Sequence, residues 1–252
     1  MNKRKKSKSI KRTISKARPV LPVEMKQMSS SQRQNTLMDL YYVKFRKMKS
    51  AQKRRAFLRA LGKVATGDSH EYVRWMSANL LNMAAMEFPE LEKSAATQLK
   101  KAISKERTFV RSFMMAHLIR IEGINDINFI RRQFGEKNVR DKKNWLWIIV
   151  KNTKSRESLK LSFVREALER EKNPEIKRDL KIMDTVLSEG AEGIKKIIES
   201  NREDIGEICR IIYFVTNFSD KVKINLLTRA FKKKRSGVIA ELLGFLNAKV
   251  PW

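Results

Sequence analysis

"EYVRWMSANLLNM" (Glu71–Met83) and "TFVRSFMMAHLIRI" (Thr108–Ile121) are two versions of one phrase. Each carries a Val-Arg pair, then small and apolar residues, then a Leu seven or eight positions after the Val. The pairs, at Val73 and Val110, stand 37 residues apart. Apolar residues recurring at three and four give each stretch one apolar helix face, and such a face needs a neighbour to cover it. The phrase recurs because one packing problem recurs.

The rest of the chain reads the same way. With nine Gly and five Pro in 252 residues, it has few helix breakers, and few stretches alternate as exposed strands do. Punctuation falls at "GDSH" (67–70), Pro89, Gly123, Gly135, "KNP" (172–174), Gly190, "NFSD" (217–220) and "RSG" (235–237). Between these marks the spacing predicts one series of helices near 71–84, 107–121, 141–153, 174–188, 205–216 and 237–247. A second series alternates with it, near 89–104, 124–134, 157–171, 191–200 and 219–233. The first-series starts lie 31 to 36 residues apart. A helix-pair period in the thirties predicts an all-α chain built as an α-solenoid of about five to six pairs, each burying its stripe on the next. A compact bundle of about ten helices is the alternative with the same 3.6-residue period.

"VRSFMMAHLIRI" (Val110–Ile121) resembles the inner helix of a HEAT-like (armadillo-type) repeat, with Val-Arg, small residues, Leu and a final aliphatic. "VRWMSANLLNM" (Val73–Met83) is similar. The later "EIKRDLKIMDTVL" and "DIGEICRIIYFV" keep the spacing and lose the Val-Arg pair. The resemblance covers about 50–250. It implies a right-handed superhelix whose first-series helices line a concave face, and a Val-Arg arginine that ties neighbouring repeats together through an acidic partner.

Charge sets the expected partner. The chain holds 56 Lys+Arg against 27 Asp+Glu, a formal net charge of +29. Residues 1–60 hold 19 basic residues and two acidic ones, Glu24 and Asp39. A field of this sign attracts polyanions. "NKRKKSKSIKRTISKARP" has no acid and no apolar period, so 1–35 is expected to be a disordered basic arm ahead of a helical domain over 36–252. Lys3, Arg4, Lys5, Lys6, Lys8, Lys11 and Arg12 in that arm suit non-specific phosphate contact, each neutralised phosphate releasing counterion. A transport signal is a second use for it. "KFRKMKSAQKRRAFLRALGKV" (44–64) alternates basic and apolar positions at helical spacing. Phe45, Met48, Phe57, Leu58 and Leu61 are placed on the docked side, with Lys47, Lys53, Arg54 and Arg55 exposed. Such a helix also suits an anionic membrane surface, ranked below nucleic acid because bulky interfacial aromatics are lacking.

Along the first series, basic residues return as Arg74, Arg111, Lys142, Lys143, Lys177 and Arg178, a ladder able to follow phosphates. For Arg74 and Arg111 the inter-repeat tie is the competing role. "FKKKRSG" adds Lys232, Lys233 and Lys234 at a corner where cations also suit a helix end. Trp145 and Trp147, two apart, point some 200° from each other on a helix, so at least one is placed in the core while the other is a candidate for base stacking. The terminal "LLGFLNAKVPW" reads either as a capping helix or as the bearer of an exposed Trp252.

Catalytic signals are sparse. His70 and His117 have no second ligand at metal spacing and read as surface or packing residues. There is no phosphate-cradling Gly-rich loop, no Gly-x-Ser-x-Gly and no His-Glu-x-x-His. "KKNWLWIIVKN" is similar, at Asn144 and Trp145, to the signature of HEAT-like DNA glycosylases for alkylated bases. Leu146 and Ile149 stand where that signature implies aspartates, and an aliphatic side chain cannot stabilise a cationic transition state. One cysteine, Cys209, excludes an internal disulfide and any all-Cys metal site. The longest apolar run, "WLWIIV" (145–150), is far short of the ~20 residues of a spanning helix, and the start lacks the apolar core of a secretory signal.

The sequence therefore predicts a non-enzymatic protein that grips nucleic acid, DNA or RNA, by its backbone, with no cofactor, metal or small-molecule substrate. It is expected inside the cell, cytoplasmic, or in the nucleus or nucleoid if the arm is a transport signal. A scaffold for an acidic protein partner is the alternative, and a glycosylase-like enzyme the third reading.

Overall fold

The computed structural model describes residues 24–135, 139–200 and 205–248, and these are all-helical, with no strand among them. Twelve α-helices follow in order: α1 (Ser30–Asp39), α2 (Ala51–Gly67), α3 (Glu71–Glu87), α4 (Glu92–Lys105), α5 (Val110–Glu122), α6 (Ile127–Gly135), α7 (Val139–Lys151), α8 (Glu157–Arg170), α9 (Pro174–Ser200), α10 (Ile205–Phe214), α11 (Asp220–Lys233) and α12 (Gly237–Phe245). The chain divides into two compact units between His117 and Leu118.

In the first unit the described chain is helical well before residue 36, where the helical domain was expected to begin. A 3-10 turn covers Glu24–Gln27, and Ser29 and Gln32 form a reciprocal capping box that starts α1. The rest of the expected arm, including Lys3 to Arg12, lies outside the described residues. A π-helical turn, Leu40–Phe45, prolongs α1 and buries Tyr41 and Phe45 completely. Phe45 stacks on Tyr41 and on Phe57, both at 5.0 Å, and meets the Phe88 edge at 5.5 Å. This cluster fixes the first helix on α2 and on the end of α3. Each ring so buried is worth about 1.5–3 kcal/mol in removed apolar area.

Ser50 caps α2 by accepting from the Lys53 amide. Phe57, Leu58, Leu61, Val64 and Ala65 form its buried stripe, which packs on α3 and α4. α2 and α4 approach so closely that a Cβ on Gly62 would stand 2.8 Å from the Gln98 Cβ. Met48, expected to dock, is only half-buried.

In the second unit, α7 packs on α9, α8 on α9, α9 on α11, and α10 on α11 and α12. Gly123, at φ +68°, ends α5 in the left-handed region. The turn after α7 closes over this end: Asn152 Nδ2 donates to the Ile119 carbonyl at 2.7 Å, Lys154 Nζ to that of Ile121 at 2.8 Å, and the Ile124 amide to Ser155 Oγ at 2.8 Å. The helices expected at 174–188 and 191–200 are the two arms of α9, broken at Gly190 with φ +62°. Lys160 is 2% exposed and its Nζ donates to the Val150 carbonyl at 3.0 Å, a cation on an otherwise orphaned carbonyl in the last turn of α7. Burial lowers its pKa.

Candidate nucleic-acid interface

One ionic device recurs three times. The residue just past α2, α4 and α8 is acidic: Asp68, Glu106 and Glu171. Each carboxylate accepts backbone amides of the next turn, from His70 for Asp68, Arg107 and Thr108 for Glu106, and Lys172 and Asn173 for Glu171. Each also clamps a basic side chain of the preceding helix: Arg33 at 3.1 Å, Arg74 at 2.6 Å and Lys142 at 2.6 Å. The partners lie 35, 32 and 29 residues apart, so each clamp joins the two ends of one helix pair.

The carboxyl pKa values follow from this geometry. Burial pushes Glu106 up, but hydrogen bonds from Arg74 and Thr108 outweigh it and hold the group at about 2. Glu171 is lowered against its burial by Lys142 and the turn amides. Arg74 also donates to the Asp68 carbonyl at 2.8 Å, so its guanidinium is fully engaged inside the fold. Arg111 is buried. Lys142, set over the Phe134 ring at 5.5 Å, is taken up in the same way.

Lys143 lies at the centre of a second cluster, 2.6 Å from Glu175, 3.5 Å from Asp179 and 3.7 Å from Glu207. These carboxylates raise its pKa against the lowering effect of burial. Asp179 has no exposed surface, and burial raises its pKa despite Lys143 and Arg178. Arg178 Nη2 stands 3.6 Å from the same carboxylate. One turn further along α7 and two along α10, Trp147 lies parallel to Phe214 at 6.3 Å, and Asn217 then reaches the Lys151 carbonyl. α7 and α10 thus run side by side in the same direction.

Trp145 is fully buried and offers no ring face to a base. Trp147 is half-buried. Leu146 and Ile149 are also in the core, so the positions at which a glycosylase-like signature implies carboxylates are apolar packing. Among the described residues no group of three His, Cys, Asp or Glu could hold a metal. No described helix is long and apolar enough to cross a membrane.

In the first unit, basic residues left open to solvent line α2 and α4. α2 carries Lys53, Arg54, Arg55, Arg59 and Lys63 and no acid. Arg54 turns inward: its guanidinium sits 3.6 Å over the Phe88 ring and pairs with Glu90 at 3.0 Å. Arg55, Arg59 and Lys63 recur every four residues, about 6 Å apart along the axis, and all are exposed. Beside them, α4 exposes Lys93, Lys101 and Lys105. Among the described residues none of these six has a carboxylate within 4 Å. Because α2 and α4 meet at Gly62 and Gln98, their rows form one cationic surface. Lys47 and Lys53 are exposed nearby in the chain. Arg59, Lys63 and the α4 lysines are the residues that sequence reasoning missed; the i, i+4 continuation from Arg55 was the available signal.

In the second unit, Lys177 is exposed on α9, and Lys232 and Lys234 are exposed at the end of α11. Lys233 between them donates to the Glu199 carbonyl. No family model, curated protein or solved structure matches this chain.

Proposed function

We propose that the chain is a non-enzymatic nucleic-acid-binding protein that grips phosphates through the α2/α4 surface and the basic N-terminal residues. The observation that carries this reading is the pair of exposed rows, Arg55–Arg59–Lys63 and Lys93–Lys101–Lys105, without neutralising carboxylates. Four other basic groups, Arg33, Arg74, Lys142 and Lys143, are taken up by acids instead. Six like charges held side by side repel one another, and a polyanion relieves that repulsion with release of its counterions. Contacts of this kind go to phosphates and carry little sequence information.

In the same proposal each unit is a stretch of HEAT-like α-solenoid. The repeated clamp supports it, since a helix pair tied at its ends in one way three times is a repeated structural unit. Packing of α2 on α3 and α4, and of α10 on α11 and α12, agrees with it.

The test is simple. Purified at low salt, the full chain is expected to carry nucleic acid, seen as excess absorbance near 260 nm that disappears in ~1 M salt, where charge screening is short-ranged. Protein that binds neither DNA nor RNA in gentle salt returns the basic surface to an acidic protein partner.

A further inference from the structure

Tyr72, Phe109 and Phe113 form an exposed aromatic row at one edge of the first unit. Their exposures are 51%, 45% and 48%. Ring centroids are 5.8 Å apart from Tyr72 to Phe109 and 6.0 Å from Phe109 to Phe113, each pair edge-on. His70 extends the row, 5.8 Å from Tyr72. In an edge-to-face pair the rim of one ring meets one face of the other, so the opposite face stays available for stacking. The three half-exposed rings form one contiguous apolar patch, the kind of surface found at binding sites.

The chain places this row where the cationic rows end. α2 and α4 finish at Gly67 and Lys105, and the turns 68–70 and 106–109 lead directly into α3 and α5. The C-terminal ends of the basic helices and the N-terminal ends of the aromatic ones therefore share an edge. Lys105 and Arg107 are exposed there, and neither has a side-chain partner among the described residues. Asp68 and Glu106 at the same edge are neutralised by Arg33 and Arg74. Tyr72 begins α3 beside Glu71, which is half-buried and lies in the field of Arg74.

We propose that Tyr72, Phe109 and Phe113 are a stacking platform for unpaired bases, and that the preferred ligand is single-stranded nucleic acid. This rests on the phosphate-binding reading above: the rows Arg55–Lys63 and Lys93–Lys105 track the backbone, and the strand turns its bases onto the rings at the edge. A duplex keeps its bases stacked inside and can use only the cationic rows. Stacking on aromatic rings is sequence-tolerant, because every base has a π-face. The row is aromatic and shares its edge with the exposed Lys105 and Arg107, which suits bases on a phosphate chain better than an apolar protein segment, for which these cations supply nothing.

The test uses the full chain and three fluorescein-labelled probes of equal phosphate number: oligo-dT, the same oligomer with abasic sites throughout, and a duplex. Anisotropy titrations are run on the natural protein, on Tyr72→Ala/Phe109→Ala/Phe113→Ala, and on Phe109→Trp/Phe113→Trp. The natural protein is expected to bind oligo-dT at least about tenfold more tightly than the abasic oligomer, as base stacking implies. The alanine variant loses that margin while holding the abasic oligomer unchanged, and a helical circular dichroism spectrum equal to that of the natural protein shows that it is folded. The tryptophan variant keeps the margin. Equal affinity for oligo-dT and the abasic oligomer, or an alanine variant that binds oligo-dT like the natural protein, overturns the platform, leaves phosphate binding intact, and makes the row a surface for an apolar protein segment. Failure of all three probes overturns the phosphate-binding reading and the platform together.

Discussion

Arg74 reaches from the first turn of α3 to Glu106 just past α4 and holds it through two hydrogen bonds, 2.6 Å from Nε and 3.1 Å from Nη2. The acid side chain is almost completely buried, and it also caps the turn into α5. One ion pair thus closes a helix pair and starts the next.

Removing either partner leaves a buried charge without compensation. Glu106→Gln is expected to cost about 3 kcal/mol, read as a lower midpoint in urea at pH 7. The pH dependence has a definite sign. A carboxyl held at about 2 in the fold, against 4.5 for the ordinary group, stabilises fully above pH ~5 and loses that contribution as pH falls toward 2. The natural protein should therefore lose stability over this window more steeply than Glu106→Gln does. Parallel profiles would show that the clamp is not a titrating element.

Asp179 and Lys143 give the opposite sign. Burial raises the Asp179 pKa, so its proton stabilises the fold at low pH, and the contribution is lost as pH rises through the folded value. Asp179→Asn should leave stability unchanged or raise it by about 1 kcal/mol at pH 7. Lys143→Met, which abandons three carboxylates, should cost about 3 kcal/mol or more. Thermal melts of both variants check this, and a destabilised Asp179→Asn would mean that the carboxylate is needed as an acceptor.

Gly62 allows α2 and α4 to lie side by side. Alanine there gains up to about 1 kcal/mol in helix propensity, but its Cβ would stand 2.8 Å from the Gln98 Cβ. Overpacking of this kind costs about 1–3 kcal/mol, so Gly62→Ala should be destabilising on balance. A midpoint equal to that of the natural chain would mean that the helices separate freely.

The helices were legible because the punctuation is local. Pro174, Gly190, Ser219 and Gly237 mark boundaries by their own backbone chemistry, and α9, α11 and α12 begin or break there. α5 starts at Val110 rather than near 107 because Glu106 draws the amides of Arg107 and Thr108 into a capped turn. The interface was less legible. Arg74, Lys142 and Lys143 look like open cations in the sequence, and only tertiary packing brings their acids, 29 to 36 residues away in three of the pairs, within reach. The divergence of Trp145 and Trp147 followed from helix geometry; that the core side belongs to Trp145 did not. Tyr72 lies on α3, Phe109 in the turn before α5 and Phe113 on α5, so their association exists only after folding.

The central claim is that the α2/α4 rows hold phosphates. Its most direct test is a salt series of binding to labelled duplex DNA, comparing the natural chain with Arg55→Glu/Arg59→Glu/Lys63→Glu and with a chain lacking residues 1–20. Each phosphate contact contributes about 0.9 to the slope of log K against log salt. The account predicts that the triple reversal weakens binding at every salt concentration and lowers the slope by up to about 3, and that the shortened chain still binds through the helical surface. A triple variant with the affinity and slope of the natural chain would contradict it.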